Sequence, residues 1–136
     1  MTSDTRTYQE VTILLVDDDD IDTMGVQRAL RKLRILNPVV RAHDGEEGLQ
    51  LLRTPDAVRR PCIILLDINM PRMNGLELLE TFKRTHRHRT IPILMLTSER
   101  HPDLIERAKK AGAAGWIVKP FDVSALLAAV AKLLVV

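Results

Sequence analysis

Residues 13–20 read ILLVDDDD, a short aliphatic run that ends in four consecutive aspartates. A run of this length and composition is typical of a strand that is buried on both faces. Similar runs recur along the chain, and a polar residue follows each one: Asp67 after residues 63–66, Thr97 after residues 93–96, and Lys119 after residues 116–118. The chain therefore repeats one pattern, a buried strand that ends in a polar side chain.

Helical patterns separate these runs. We predict helices at residues 21–33, 46–53, 76–84, 104–111 and from 122 onward, and a further strand at residues 39–42. Strict alternation of strand and helix predicts right-handed crossovers and a parallel sheet with helices on both faces. Asp44-Gly45 and Ala111-Gly112 supply turn residues at two of the joints. We predict one doubly wound α/β domain over residues 11–136, after a flexible tail at residues 1–10.

The composition is that of an ordinary globular domain. Of 136 residues, 46% are hydrophobic and 28% are charged, and the formal net charge is +2. A charge this small creates no strong field for nucleic acid or an anionic membrane. The tail lacks the apolar segment of a secretory signal, and the apolar stretch 123–136 is too short to span a bilayer. We expect a cytoplasmic protein without a nucleic-acid or membrane partner, in which Cys62 is a small buried hydrophobe.

A loop predicted at residues 85–90 contains His86 and His88, and with Lys83 and Arg84 just before it forms a basic run. This loop raises nucleic-acid or metal binding as an alternative. A short basic run is usually a solvated face, and a His-x-His pair lacks the further ligands of a tetrahedral metal site. We therefore expect an ordinary surface loop.

The polar residues that come after the strands predict a pocket. The carboxyl ends of parallel strands share one edge of the sheet, where open α/β sheets bind ligands. Clustering Asp17 and Asp18 against Asp67 is repulsive unless a cation or a proton compensates, and a few hard oxygen ligands suit Mg²⁺. The Thr97 hydroxyl and the Lys119 ammonium suit a phosphoryl group, for which a carboxylate can be the nucleophile. We predict a phosphorylation site with Asp67 as the nucleophile.

Asp19 and Asp20 have a different interpretation. Acidic residues that come after a strand commonly cap the next helix and balance its dipole. We expect that structural role for these two aspartates.

Four segments together resemble the receiver domain of two-component response regulators: ILLVDDD at 13–19, ILLDINMPRMNGLELL at 64–79, ILMLTSE at 93–99 and WIVKPF at 116–121. The resemblance extends from Ile13 to the last helix. It implies a flavodoxin-like (βα)₅ fold with strand order 2-1-3-4-5. It also implies phosphorylation by a sensor histidine kinase or a phosphotransfer protein, with Mg²⁺ as the cofactor.

The resemblance also implies roles for individual residues. Asp67 would be the phospho-acceptor, Asp18 a direct Mg²⁺ ligand and Asp17 a ligand acting mostly through water. Asn69 would offer its backbone carbonyl to the metal, and Thr97 and Lys119 would bind the phosphoryl group. Trp116 occupies the position of an aromatic switch that moves when the threonine closes on the phosphate. An indole is larger than the usual ring there, so a static packing role for Trp116 stays open.

These residues allow three functions. We expect a stand-alone receiver of the chemotaxis or phytochrome-associated kind, which signals through altered protein contacts and catalyses only its own phosphorylation and dephosphorylation. An alternative is a phosphohydrolase of the haloacid dehalogenase kind, but that enzyme needs a second aspartate as general acid where this chain has Asn69. A receiver-like module that is never phosphorylated is disfavoured, because every residue for phosphorylation is present.

The predicted C-terminal helix has two apolar stripes. Leu126, Val130 and Leu133 are enough to cover the sheet. A second stripe comprises Leu127, Ala131, Leu134 and Val135. We predict a two-fold homodimer built on this second stripe. The alternative is that the extra leucines fold back over the edge of their own domain.

Overall fold

The computed structural model describes residues 11–32, 37–59, 62–67, 75–85, 90–97 and 102–118. Within them strands and helices alternate as the sequence predicts. The strands are β1 (Thr12–Val16), β2 (Val39–Ala42), β3 (Cys62–Asp67), β4 (Ile93–Thr97) and β5 (Gly115–Val118). The helices are α1 (Asp20–Lys32), α2 (Gly45–Arg53), α3 (Gly75–Arg84) and α4 (Pro102–Lys110). The predicted tail and the helix predicted from residue 122 lie outside the described residues.

The five strands form one parallel sheet in the order β2-β1-β3-β4-β5. This is the predicted flavodoxin-like order, and it places β3 at the centre. Val16 pairs with Leu66, and Asp67 pairs with Leu96. The ends of β1, β3 and β4 are therefore level, so the residues at these strand ends meet at one edge of the sheet.

Both faces of the sheet are covered. Successive residues of β1 alternate between two apolar clusters, with Leu14 and Val16 in one and Ile13 and Leu15 in the other. Helix α1 contributes to the second cluster, whereas α2, α3 and α4 contribute to the first. A strand with helices on both sides needs apolar side chains at consecutive positions. This requirement explains the uninterrupted aliphatic runs, and Cys62 is buried in β3 as predicted.

Two of the predicted turn positions have clear local chemistry. The Asp44 side chain caps α2 by accepting a hydrogen bond from the Glu47 N–H at 2.8 Å. At the end of α4, Gly112 adopts a φ of 96°, and the Ala113 N–H donates to the Ala108 carbonyl at 3.0 Å. This bond and the positive φ define a Schellman motif, which favours glycine because it has no Cβ.

None of the helices within the described segments is long and apolar enough to cross a bilayer.

Candidate functional site

Asp17 and Asp67 are two buried carboxylates at the ends of neighbouring strands. Asp17 directly follows β1 and is 0% exposed, and Asp67 ends β3 and is 2% exposed. The Asp17 N–H donates to the Ala42 carbonyl at 3.0 Å, which continues the ladder between β1 and β2. A buried carboxylate is costly unless hydrogen bonds, a proton or a cation compensates its charge. The sheet therefore fixes two acidic groups side by side in surroundings where charge compensation matters.

Asp22 joins this pair to form a three-carboxylate group. One carboxylate oxygen from each of Asp17, Asp22 and Asp67 lies within 4.8 Å of the other two. Asp22 is half-buried in the first turn of α1. By contrast, Asp18 is exposed and does not belong to this group. We call the group formed by Asp17, Asp22 and Asp67 the acidic cluster.

Sequence reasoning missed Asp22 because it considered only the residues that immediately follow a strand. The available signal was helical spacing. Asp19 begins the helix as its cap, and Asp22 comes three residues later, so its side chain belongs to the first turn and lies near the strand end. Recognising this required knowing which of the four aspartates is the cap.

The segment between β1 and α1 is shaped by side-chain hydrogen bonds to its own backbone. Asp17 Oδ1 accepts from the Asp19 N–H at 2.9 Å. Asp19 Oδ1 accepts from the N–H groups of Ile21 at 2.8 Å and Asp22 at 3.2 Å. The Asp19 carboxylate therefore satisfies donors of the first helical turn, which confirms its predicted capping role. Asp20 instead forms an ion pair with Arg41 of β2, at 2.8 Å.

The acidic cluster has the right chemistry for a hard divalent cation. Its donors are carboxylate oxygens, and they come from two strand ends and the first turn of a helix. Mg²⁺ takes oxygen ligands and binds through a small number of carboxylates while keeping several waters. A dication would also relieve the mutual repulsion of the three carboxylates. The residues present therefore fit Mg²⁺.

The other predicted site residues lie at or beyond the ends of β4 and β5. Thr97 is the last residue of β4, and its backbone pairs with Val118 of β5. Because Asp67 pairs with Leu96, Thr97 lies at the same edge as the acidic cluster. Asn69 and Lys119 lie outside the described residues. Trp116 is half-buried in β5, and the Lys109 ammonium lies 5.0 Å from its ring centre.

The fold and this edge of the sheet define a known class of protein. A profile of the response regulator receiver domain matches residues 13–131 of the chain. The chain therefore belongs to the response regulator receiver domain family, which confirms the resemblance of its four motifs. Members of this family act as signalling switches and generally bind Mg²⁺ at an acidic pocket.

Two curated relatives are regulatory proteins. The chain is 32% identical over 112 residues to a probable methanogenesis regulatory protein, FilR2, of Methanothrix harundinacea, covering 81% of this chain and 72% of the relative. It is 31% identical over 118 residues to the transcriptional regulatory protein PdtaR of Mycobacterium tuberculosis. That match covers 87% of this chain but only 54% of PdtaR. The chain thus spans about half the length of this second relative.

Two solved structures show the same fold. The chemotaxis protein CheY4 of Vibrio cholerae superposes with a TM-score of 0.79 at 33% identity, over 91% of this chain and 98% of CheY4. The bacteriophytochrome response regulator RtBRR superposes with a TM-score of 0.78 at 34% identity, over 90% of this chain and 77% of RtBRR. The neighbours include both kinds of receiver that the sequence suggested, chemotaxis and phytochrome-associated.

Proposed function

We propose that this chain is a phospho-accepting switch whose acceptor is Asp67. A carboxylate oxygen of Asp67 attacks the phosphorus of a phosphohistidine on a histidine kinase or a phosphotransfer protein. The new O–P bond forms as the bond between phosphorus and the imidazole nitrogen breaks, and the imidazole leaves. The observation that carries the proposal is the position of Asp67, 2% exposed at the end of the central strand and within the acidic cluster.

Mg²⁺ is the cofactor in this proposal. When bound, it would neutralise charge on the phosphoryl oxygens and on the carboxylates around them. Asp17, Asp18, Asp67 and the backbone carbonyl of Asn69 would hold it, and the cluster geometry adds Asp22 to this set. The carboxylate composition of the cluster supports the choice of a hard cation.

Two further residues would stabilise the phosphorylated state. The Lys119 ammonium offers a point charge and the Thr97 hydroxyl offers a donor to the phosphoryl oxygens. The acyl phosphate adds about −1.5 to −2 charges at neutral pH, by analogy with phosphorylated hydroxyl residues. Movement of Thr97 toward this group is the step that would signal to Trp116 and its surroundings. Hydrolysis of the O–P bond by water releases phosphate, restores Asp67 and ends the signal.

Intact-mass measurement after incubation with Mg²⁺ and a small phosphodonor tests this function. We expect the wild type to gain one phosphoryl group and Asp67→Asn to gain none. The matched control is Asp56→Asn, the same chemical change at an exposed carboxylate in the loop between α2 and β3. An adduct of equal yield in Asp67→Asn would exclude Asp67 as the acceptor. Steady turnover of small phosphate esters would instead indicate a phosphohydrolase.

The output of the switch would be a change in its contacts with other proteins in the cytoplasm. One such contact would be with a second copy of the chain in a homodimer. The second apolar stripe predicted for the C-terminal helix supports it, although residues 119–136 lie outside the described residues. Burying leucine and valine side chains in both subunits favours association by about 1.5–3 kcal/mol for each side chain. Sedimentation should show a dimer that a Leu127→Glu, Leu134→Glu variant abolishes. A wild type that stays monomeric with and without phosphorylation would rule out the dimer.

A further inference from the structure

Arg41 makes two contacts with the segment after β1, which carries two of the three members of the acidic cluster. Its Nε–H donates to the backbone carbonyl of Asp17 at 2.9 Å, and its Nη1 lies 2.8 Å from Asp20 Oδ1. The Arg41 side chain is only 16% exposed, whereas that of Asp20 is 80% exposed. One guanidinium therefore joins β2, the outer strand of the sheet, to both the start of the turn after β1 and the first residue of α1.

These two contacts lie at either end of the turn on which the cluster depends. Between them, Asp17 Oδ1 and the Asp19 N–H close the turn at 2.9 Å, and the Asp19 cap then sets the first turn of α1, where Asp22 lies. A guanidinium is a planar fork that can satisfy two acceptors in fixed directions. Arg41 is thus placed to hold the backbone of Asp17 and the start of the helix at a fixed separation.

We propose that Arg41 is a positioning residue for the metal site: it holds the turn after β1 in the shape that brings Asp17 and Asp22 to Asp67. This inference rests on the proposed Mg²⁺-dependent function. Residues that orient metal ligands from outside the coordination shell commonly contribute tenfold or more to metal affinity. Arg41 is not a member of the acidic cluster, and its effect would pass through the backbone.

When Arg41 is replaced, the loss of its charge and the loss of its two contacts should change the Mg²⁺ affinity in opposite directions. A cation close to the site repels Mg²⁺, so loss of Arg41 alone would tighten binding if charge dominated. Loss of the tether weakens binding, because the ligands must then be ordered when the metal binds. The Arg41→Gln, Asp20→Asn double variant removes one positive and one negative charge and preserves the net charge. The double variant therefore shows how loss of the contacts alone changes the Mg²⁺ affinity.

Calorimetric titration with MgCl₂ of the wild type, the double variant and Arg28→Gln tests the proposal. Arg28 is an exposed arginine of α1 and serves as the control. We expect the double variant to bind Mg²⁺ roughly tenfold more weakly and the control to bind as the wild type does. Arg41→Lys, which keeps the charge but has no fork, should also bind more weakly. Wild-type affinity in the double variant, with or without a lower melting temperature, would overturn the proposal.

A second measurement separates this inference from the proposed function, because it needs no metal. In EDTA, backbone amide exchange at residues 19–22 should be faster in the double variant than in the wild type, with no change in β3. Unchanged exchange would overturn the positioning role even if the wild type is phosphorylated normally. A wild type that neither binds Mg²⁺ nor accepts a phosphoryl group would overturn the proposed function, and the role of Arg41 toward the metal with it.

Discussion

The ammonium of Lys109 lies over the ring of Trp116, 5.0 Å from the ring centre. This cation–π contact joins α4 to β5 and gives a half-buried indole a partner on its outer side. Such a contact is worth about 0.5–1 kcal/mol at an exposed site. In this structure Trp116 is therefore held by α4 as well as by the apolar cluster beneath it.

The contact predicts a change in the fluorescence of Trp116, the only tryptophan in the chain. Replacing Lys109 by Gln should alter the emission maximum and make the ring more accessible to acrylamide quenching, because the indole loses its outer contact. Lys110→Gln, a change at the neighbouring exposed lysine, should leave both unchanged. Identical spectra and quenching for wild type and Lys109→Gln would contradict a stable contact.

The fold was predictable because its signals are local and redundant. Aliphatic runs such as residues 13–16 and 63–66 are continuous enough to identify buried strands, and turn residues such as Ala111-Gly112 mark where helices end. The site was only partly predictable. Asp17, Asp67 and Thr97 directly follow or end their strands, so parallel topology alone brings them to one edge.

Asp22 and Arg41 were not predictable in the same way. The position of the Asp22 side chain depends on where α1 begins, which the cap at Asp19 sets. The run of four aspartates offers several possible caps. In the sequence, Arg41 is an ordinary charged residue of an outer strand, and its proposed role depends on two contacts that the pairing of β1 with β2 makes possible. Asn69 and Lys119 lie outside the described residues, so their roles remain predictions.

Two glycines predict opposite effects on stability when each is replaced by alanine. Gly112 has a φ of 96°, where an alanine costs about 1–2 kcal/mol. Gly25 lies in α1, and apart from its chain neighbours and the backbone of its own helix no atom lies within 4 Å of an added Cβ, so alanine there should stabilise the protein by about 0.5–1 kcal/mol. Urea denaturation should show a lower midpoint for Gly112→Ala and a higher one for Gly25→Ala. Shifts of both midpoints in the same direction would contradict one of the two assignments.

Lys83 predicts a pH dependence of stability. Burial lowers the pKa of Lys83 from its ordinary value of 10.5, and its Nζ donates to the Ile91 carbonyl at 3.2 Å. Between the lowered pKa and 10.5, the unfolded chain binds more protons at this group than the folded chain does. The contribution of Lys83 to stability therefore rises with pH across that window.

The measurement is the free energy of unfolding of wild type and Lys83→Met from neutral pH to about 10.5, the ordinary lysine pKa. The wild type should gain stability relative to this variant as the pH rises. Lys110→Met, which removes a lysine charge at an exposed position of α4, is the matched control for the loss of charge. A constant difference between wild type and Lys83→Met would show that burial of Lys83 does not disfavour its charged form.

The acidic cluster predicts that Asp22 matters to the metal at least as much as Asp18 does. Asp22 lies within the cluster, whereas Asp18 is exposed. The receiver resemblance instead makes Asp18 the direct ligand. Variants of these two residues therefore test whether the acidic cluster or the resemblance identifies the metal ligand. Asp22→Asn preserves the shape of the side chain and removes its charge. Asp18→Asn makes the same change in the turn between β1 and α1.

If Asp22 contacts the ion, Asp22→Asn should raise the Mg²⁺ dissociation constant by roughly tenfold or more, because loss of a ligand should cost at least as much as loss of a residue that orients one. Asp22→Asn should also stabilise the metal-free protein, because removing one of three clustered like charges relieves repulsion. Fluorescence titration of Trp116 with MgCl₂ measures the first effect, and thermal unfolding in EDTA measures the second. Loss of affinity in Asp18→Asn together with unchanged affinity in Asp22→Asn would assign the ion to Asp18 and leave Asp22 as a residue of the first helical turn only.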